Sequence, residues 1–216
     1  MDLIRIFEIL SNALGETFIM VGFSTLFSMI FGIGLAIILI VTSKDGPRPN
    51  KIVYGTLDVI INILRSFPFI ILLVAVGPLT KLIVGKSIGT AAAVVPLTIA
   101  AAPFVARVIE SSLKEVDKGV IEAAKSLGAS DSQIIFKIMI KEALPSIVSG
   151  LTLTIISIIG YSAMAGSIGG GGLGAASITY GYNRFNGTFM LYTVIVIVVV
   201  VQAIQLIGNY IYKKLS

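Results

Sequence analysis

The chain has 216 residues, of which 56% are hydrophobic and 12% are charged. Soluble domains carry about 25% charged residues, so this composition indicates a protein that lies largely within a lipid bilayer. The chain contains no cysteine and no histidine, which excludes disulfide bonds, thiol catalysis, Cys/His metal sites and the commonest general base.

Five segments are apolar over the length of about 20 residues that a helix needs to cross the hydrocarbon core. They run from about Thr17 to Val41, Ile52 to Leu79, Ile88 to Ile109, Ala143 to Ala165 and Phe189 to Tyr212. We therefore predict an all-α, polytopic membrane protein with five transmembrane helices, forming a single domain over residues 1–216. Because Asp2, Glu8 and Glu16 precede the first span, no cleaved signal is expected.

The basic residues predict which way the spans are oriented. Eleven of them flank one face of the membrane, four flank the other, and Arg65 lies within a span. The first group is Lys44, Arg48, Lys51, Arg107, Lys114, Lys118, Lys125, Lys137, Lys141, Lys213 and Lys214; the second is Arg5, Lys81, Lys86 and Arg184. Because cytoplasmic loops carry the excess of lysine and arginine, the N-terminus is expected outside and the C-terminus in the cytoplasm. This asymmetry also accounts for the net charge of +5, so no nucleic-acid partner is expected.

Polar residues interrupt the second span at a helical spacing. Asp58, Asn62 and Arg65 are four and three residues apart, so they share one face of a helix. Ionisable groups at membrane depth usually face a bundle interior or a water-filled cavity, which makes this face a candidate lining of a path across the membrane. The alternative is that Asp58 and Arg65 lie near the membrane surface or pair with a neighbouring helix. Pro68 removes a backbone hydrogen bond in the same span and predicts a kink.

The loop of about residues 110–142, between the third and fourth spans, is polar but patterned. Apolar residues recur at the spacing of one helical face, at Val120, Ile121, Ala124 and Leu127. Asp117 is placed to cap this helix at its N-terminus, and Gly128 suits the left-handed position that ends it. Ser130 and Gln133 match a capping box that starts a second helix, which leads by Pro145 into the fourth span. The loop is predicted to be a helix, a glycine turn and a helix.

From the residues alone, the first of these two helices has two alternative uses. An amphipathic helix of this kind can lie flat on the lipid surface. It can equally dock a separate soluble protein. The pattern of apolar and charged residues favours neither use over the other.

The glycines Gly169–Gly172 do not predict nucleotide binding. They lack the Gly-Lys-Ser/Thr ending of a phosphate-binding loop, and no strand precedes them. A re-entrant or flexible exit from the fourth span is expected instead. Elsewhere, Gly32 and Gly34 of the first span and Gly150 of the fourth are expected to permit close contacts between helices.

The cytoplasmic loop carries a motif found in one class of transporters. Glu122-Ala123-Ala124, followed after three residues by Gly128, resembles the EAA loop of the integral-membrane subunits of bacterial ABC importers. In that family the first short helix of the loop sits in a groove on the ATP-hydrolysing subunit. The resemblance implies a coupling contact made by Glu122, Ala123, Ala124, Lys125, Leu127 and Gly128. The family pattern continues with I-x-L-P, whereas this chain has Ile138 followed by Ile140 and Lys141.

Three further runs are similar to the permeases of methionine ABC transporters. They are Arg65–Leu73 (RSFPFIILL), Ser162–Gly174 (SAMAGSIGGGGLG) and Tyr180–Phe185 (YGYNRF). The similarity covers nearly the whole chain after about Thr17. Where that family often has Gly-Asp, this chain has Gly174 followed by alanine, so no carboxylate at that position takes part in gating here.

The resemblance implies a permease subunit of an ATP-driven importer of methionine, D or L, or a close analogue, in the bacterial cytoplasmic membrane. The implied partners are a second copy of the chain, two cytoplasmic ATPase subunits and an extracytoplasmic substrate-binding protein. ATP and Mg would be bound by the ATPase. No cofactor, metal site or catalytic residue is expected in this chain, which is not expected to be an enzyme.

The polar face of the second span and the proline that follows it supply the candidate residues of the path. Asp58, Asn62, Arg65 and Pro68 are expected to line it, with Arg65 near the carboxylate of the amino acid. Met164 could contact a thioether substrate, although packing is the alternative for a methionine in an apolar helix. The alternatives for the whole chain are an importer permease for another small amino acid and, from a different class, a secondary transporter or small channel.

Overall fold

The computed structural model describes residues 2–216, and within that range all regular secondary structure is helical. Ten α-helices occur in these residues: α1 (Leu3–Thr42), α2 (Lys51–Ser66), α3 (Phe69–Ala75), α4 (Gly77–Val84), α5 (Thr90–Lys114), α6 (Lys118–Ser126), α7 (Asp131–Gln133), α8 (Ile140–Ala165), α9 (Gly172–Ala176) and α10 (Gly187–Leu215). Three π-helical stretches adjoin α8 and α9, at Ile134–Met139, Gly166–Gly170 and Ser177–Tyr182. The all-α prediction is confirmed for the described residues.

Four continuous helices are long and apolar enough to cross a membrane. They are α1, α5, α10 and the helix that runs from Asp131 to Gly170 through α7 and α8. A fifth candidate is the pair α2 and α3, which is bent by 106°. The structure therefore has four or five candidate spans, depending on whether the bent pair crosses as one unit, where the sequence predicted five.

The second predicted span, Ile52–Leu79, is not one helix, and the kink predicted at Pro68 is a complete break. α2 ends at Ser66, and Phe67 is extended, with φ −71° and ψ 128°. A proline disfavours the helical conformation of the residue before it, which explains why the helix stops there. A second break at Val76 separates α3 from α4.

The first helix begins at Leu3, well before the predicted start of the span at Thr17. At about 1.5 Å per residue its 40 residues extend about 60 Å, roughly twice the thickness of the hydrocarbon core. The first turns are stabilised by tertiary packing, because Ile6, Leu10 and Ala13 are buried against α9 and the start of α10. Hydropathy alone could not detect this extension.

α5 lies at the centre of the bundle, with 67% of its most apolar stretch buried. α1 packs along it through small residues that recur every four positions, at Ser24, Ser28, Gly32 and Ala36. The hydroxyls of Ser24 and Ser28 donate to the carbonyls of Val94 and Thr98, each at 3.4 Å. Small residues let two helix backbones approach closely, as is common in membrane proteins.

Two of the three glycines predicted to permit close helix contacts do so. A Cβ on Gly32 would lie 2.5 Å from the Cβ of Val105, and a Cβ on Gly150 would overlap Val108. The prediction for Gly34 is wrong within this chain, because a Cβ there would meet no atom within 4 Å. Gly34 lies on the side of α1 that faces away from α5.

The glycine run after α8 forms a tight turn that is held by α1. Gly169, Gly171 and Gly172 have φ values of +87°, +84° and +76°, which favour glycine. The Oε2 of Glu16 accepts a hydrogen bond from the N–H of Gly172 at 2.6 Å, and the Oγ1 of Thr17 accepts one from the next residue at 2.9 Å. The chain therefore leaves α8 through an ordered turn and enters the short helix α9.

Candidate functional site

Residues next to α6 in the sequence make the hydrogen bonds that begin and end this helix, as predicted. The Oδ1 of Asp117 accepts hydrogen bonds from the N–H groups of Gly119 at 2.7 Å and Val120 at 3.3 Å. These bonds satisfy two of the amide groups that a helix N-terminus leaves free. The predicted N-cap at Asp117 is confirmed.

The turn after α6 is a Schellman motif centred on Gly128. Gly128 has φ +78°, its N–H donates to the carbonyl of Lys125 at 2.9 Å, and the N–H of Ala129 donates to the carbonyl of Ala124 at 3.1 Å. The predicted capping box is also present, since Ser130 and Gln133 exchange backbone and side-chain hydrogen bonds. The predicted helix, glycine turn and helix is confirmed as local structure.

The second helix of this loop continues without a break into the fourth span. A π-helical stretch at Ile134–Met139 joins α7 to α8, and Pro145 lies inside α8. Lys141, where the resemblance departs from the family pattern, is an exposed residue in this continuous helix. The departure therefore leaves the helical path intact.

The residues of α6 divide into an inner and an outer set. Ala124 is 7% exposed and belongs to a core cluster that includes Leu113, Val116 and Ile134. Leu127 was expected on that same inner face, but it is 88% exposed because it lies at the helix end, beyond the packed turns. Of the predicted coupling residues, five are exposed (Glu122, Ala123, Lys125, Leu127 and Gly128), and Ala124 anchors the helix from beneath.

A groove of about 1170 Å³ lies between α6 and the segment that joins α1 to α2. Five lysines that the sequence assigned to one membrane face border it: Lys44, Lys51, Lys114, Lys118 and Lys125. Its floor is apolar and includes Ile40, Leu113 and Met139. The basic residues of two separate loops thus lie at the same end of the molecule as α6.

The structure brings together only some of the residues on the polar face of α2. Asp58 and Asn62 share a hydrogen bond of 3.2 Å, and both bind the guanidinium of Arg107 on α5, at 2.6 and 3.0 Å. Arg65 does not join them, since its guanidinium lies 4.8 Å from the centre of the Phe104 ring. For Asp58 the structure therefore shows the alternative, a pair with a neighbouring helix.

Sequence reasoning missed the buried carboxylate that completes this cluster. Glu110 is 1% exposed and accepts from Tyr54 at 2.8 Å, Arg107 at 2.7 Å and Lys114 at 2.6 Å. The three ion pairs found in residues 2–216 all lie here. We call the six residues the α2–α5 zipper: Tyr54, Asp58 and Asn62 of α2 with Arg107, Glu110 and Lys114 of α5. A signal was present, because each set of three follows the spacing of one helical face.

A second groove runs between α5 and α8. It consists of two cavities, of about 650 and 220 Å³, which share Phe104, Val108, Gly150 and Leu153. The larger is bordered by Arg65 and by polar side chains such as Glu142, whereas the smaller is mostly apolar. The groove thus changes from polar to apolar along its length.

The remaining predicted path residues lie apart from this groove. Asn62 and Pro68 border a separate hollow of about 460 Å³ on the surface of α2. Met164 is 48% exposed and lies eleven residues beyond Leu153 on α8, which corresponds to roughly 16 Å along the helix axis. The structure therefore does not place Met164 beside Arg65.

Comparison with known proteins relates this architecture to a transport family. The family described as the inner membrane component of binding-protein-dependent transport systems matches residues 46–216. The chain belongs to this family. The permease is 47% identical over 209 residues, 97% of its length, to a Vibrio cholerae protein named "Probable D-methionine transport system permease protein MetI", and covers 93% of that protein.

Two further comparisons support the assignment along the chain. The permease is 45% identical over 174 residues, 81% of its length, to the methionine import system permease protein MetP of Bacillus subtilis, of which it covers 78%. It also matches a chain in a solved structure described as inward-facing conformations of the MetNI methionine ABC transporter. That match has a TM-score of 0.96 and 41% identity and covers 100% of both chains.

Proposed function

We propose that the permease forms the membrane path of an ATP-driven importer of methionine, D or L, or a close analogue. This proposal rests on similarity along nearly the whole chain: the sequence is similar to that of the Vibrio cholerae protein, and the fold matches that of the MetNI chain. Fold alone would not support a substrate, because one fold hosts many functions. Identity above 40% over the whole fold is a stronger basis.

In this proposal α6 is the docking helix for a cytoplasmic ATPase subunit, which binds ATP and Mg. Its exposed Glu122, Lys125 and Leu127 offer an acidic, a basic and an apolar contact within two turns. Buried Ala124 and the Schellman turn at Gly128 hold the helix rigidly, so force applied to it reaches the bundle instead of bending the loop.

The assembly we propose contains two copies of the permease, two ATPase subunits and an extracytoplasmic binding protein. A two-fold axis between the copies would place the path at their interface, since four or five candidate spans are few helices with which to surround a path. The gathering of five lysines beside α6 supports a cytoplasmic location for that end and an N-terminus outside. The binding protein would then meet the opposite end.

On each copy, the groove between α5 and α8 is the surface that we propose lines this path. The guanidinium of Arg65 at its polar part can pair with the carboxylate of an amino acid. The apolar part next to it, formed by Phe104, Val108 and Leu153, suits a thioether side chain. Asn62, Pro68 and Met164 would border the path at other levels.

Reconstitution tests this function. The permease, its ATPase and its binding protein are placed in liposomes, and uptake of labelled L- and D-methionine is measured with and without ATP. We expect uptake that requires ATP and is inhibited by excess unlabelled methionine but not by an unrelated amino acid. Uptake in the absence of any ATPase would instead indicate a secondary transporter, and preference for another amino acid would correct the substrate.

A pair of leucine variants tests the docking role of α6 within the same system. Leu127→Ala removes an exposed apolar side chain at the tip of α6, and Leu206→Ala makes the same change on α10, where the side chain is 67% exposed. We expect the first to weaken ATPase binding about tenfold, as for an interface anchor, and the second to leave it unchanged. If both variants bind the ATPase equally well, Leu127 is not part of the interface.

A further inference from the structure

The α2–α5 zipper determines where α2 sits on the bundle. Ile61 is the one residue of α2 that is buried, packing with Leu39 and Ala106, so apolar packing holds this helix at few points. The zipper adds contacts over more than two turns of α2, from Tyr54 to Asn62. Charge-assisted hydrogen bonds are directional and lose strength when groups shift, whereas an apolar face can slide. The zipper therefore specifies one position of α2 on α5.

The same zipper is directly connected to α6. Lys114 is the last residue of α5, and α6 begins at Lys118. Leu113 and Val116 belong to the core cluster that contains Ala124 of α6. A displacement of α6 must therefore move the end of α5 that carries Glu110 and Lys114.

At its other end α2 leads to the break at Pro68, where the chain turns by 106° into α3. Asn62, the last zipper residue of α2, borders the hollow formed by this break. Motion of α2 would therefore change the angle at Pro68 and the surface beside it. No comparable ion pair occurs elsewhere in residues 2–216.

We infer that the α2–α5 zipper is a strut that makes α2 travel with α5 and α6 during transport. Glu110 is its centre, because it is buried and accepts from one donor on α2 and from two on α5. Glu110 and Tyr54 are therefore positioning residues. They touch neither substrate nor nucleotide, but they link α6 to the break at Pro68. This inference rests on the proposed function of α6.

The first experiment measures coupling between ATP hydrolysis and uptake in the reconstituted importer. Tyr54→Phe removes one hydroxyl, and Glu110→Gln replaces the acceptor of three donors with a group whose amide faces cations. We expect uptake per ATP hydrolysed to fall about tenfold for either variant, within the usual range of coupling between sites, while the ATPase still assembles and hydrolyses ATP. Tyr192→Phe, a change on the surface of α10, serves as control and keeps the wild-type ratio. A wild-type ratio in both zipper variants would overturn the inference.

A second experiment follows the motion itself. Spin labels can be attached to cysteines introduced in place of the exposed Val59 of α2 and Lys118 of α6. Because the chain has no cysteine of its own, no native thiol has to be removed first. We expect the distance between the labels to be the same in the nucleotide-free and ATP-trapped complexes. In Tyr54→Phe it should change or broaden between the two states. A distance that changes in the otherwise unaltered chain, or stays fixed in Tyr54→Phe, would overturn the strut.

The two proposals fail in different ways. If the wild-type complex shows no ATP-dependent uptake, the proposed function is wrong. If the wild-type complex transports with ATP and the zipper variants keep its coupling ratio, only the strut is wrong.

Discussion

Replacing Gly128 by alanine tests how strongly the stop of α6 depends on backbone conformation. Gly128 has φ +78°, and a Cβ built on it would meet no atom within 4 Å. The cost is therefore backbone strain without any clash, about 1–2 kcal/mol for an L-residue in the left-handed region. That corresponds to roughly a 5- to 30-fold loss in the population of the closed turn. Gly128→Asn should lose less, because asparagine tolerates this region better.

The matched control is Gly34→Ala. Gly34 also has open space around its Cβ position, but it lies inside α1 with ordinary helical φ. The same chemical change should be neutral there or stabilise the helix by up to about 1 kcal/mol. The change from glycine to alanine is thus expected to destabilise the turn at Gly128 and to be neutral or stabilising at Gly34.

The assay is ATPase binding to the purified permease, followed by ATP-driven uptake in liposomes. If α6 docks the ATPase in the conformation seen here, Gly128→Ala should weaken binding by about the factor that the strain predicts, and Gly34→Ala should not. Equal binding and uptake for Gly128→Ala and Gly34→Ala would show that the left-handed turn has no part in coupling.

Three other variants test separate parts of the structure. Gly32→Ala should cost about 1–3 kcal/mol, because its Cβ would lie 2.5 Å from Val105; the melting temperature in detergent should fall and be partly restored by Val105→Ala. Glu16→Gln replaces a charge-assisted hydrogen bond to Gly172 by a neutral one, so amide exchange at Gly172 should rise about tenfold, and unchanged exchange would show that the turn does not need the charge. Arg65→Ala should reduce uptake while ATPase assembly stays normal; normal uptake would remove Arg65 from the path.

The sequence predicted the coupling loop well because its interactions are local. Asp117 caps amides two and three residues away, Gly128 closes a turn within five residues, and Ser130 pairs with Gln133. Each of these signals can be recognised in a short window. The exposure of Leu127 was not predicted, because it depends on where the packed part of α6 ends.

The residues near the proposed path were harder to predict, because the side chains that they contact are distant in sequence. The break at Pro68 has a local cause, but its angle of 106° depends on how α2 and α3 pack. The expected grouping of Asp58, Asn62 and Arg65 failed for Arg65, since Phe104 lies beneath its guanidinium. A helical face shows which residues point the same way, but not what lies opposite.

The amino-acid sequence alone predicts that this protein is helical and lies in a membrane, and it predicts where α6 begins and ends. These properties follow from hydropathy, caps and turn chemistry acting over a few residues. The position of Glu110 at the centre of a buried cluster depends on how α2 packs on α5. Its contact with Tyr54 joins residues 56 positions apart, and the contact of Arg107 with Asp58 joins residues 49 positions apart. Burial converts these separate charged and polar residues into one connection between α2 and α5, because a carboxylate removed from water needs all its donors in place.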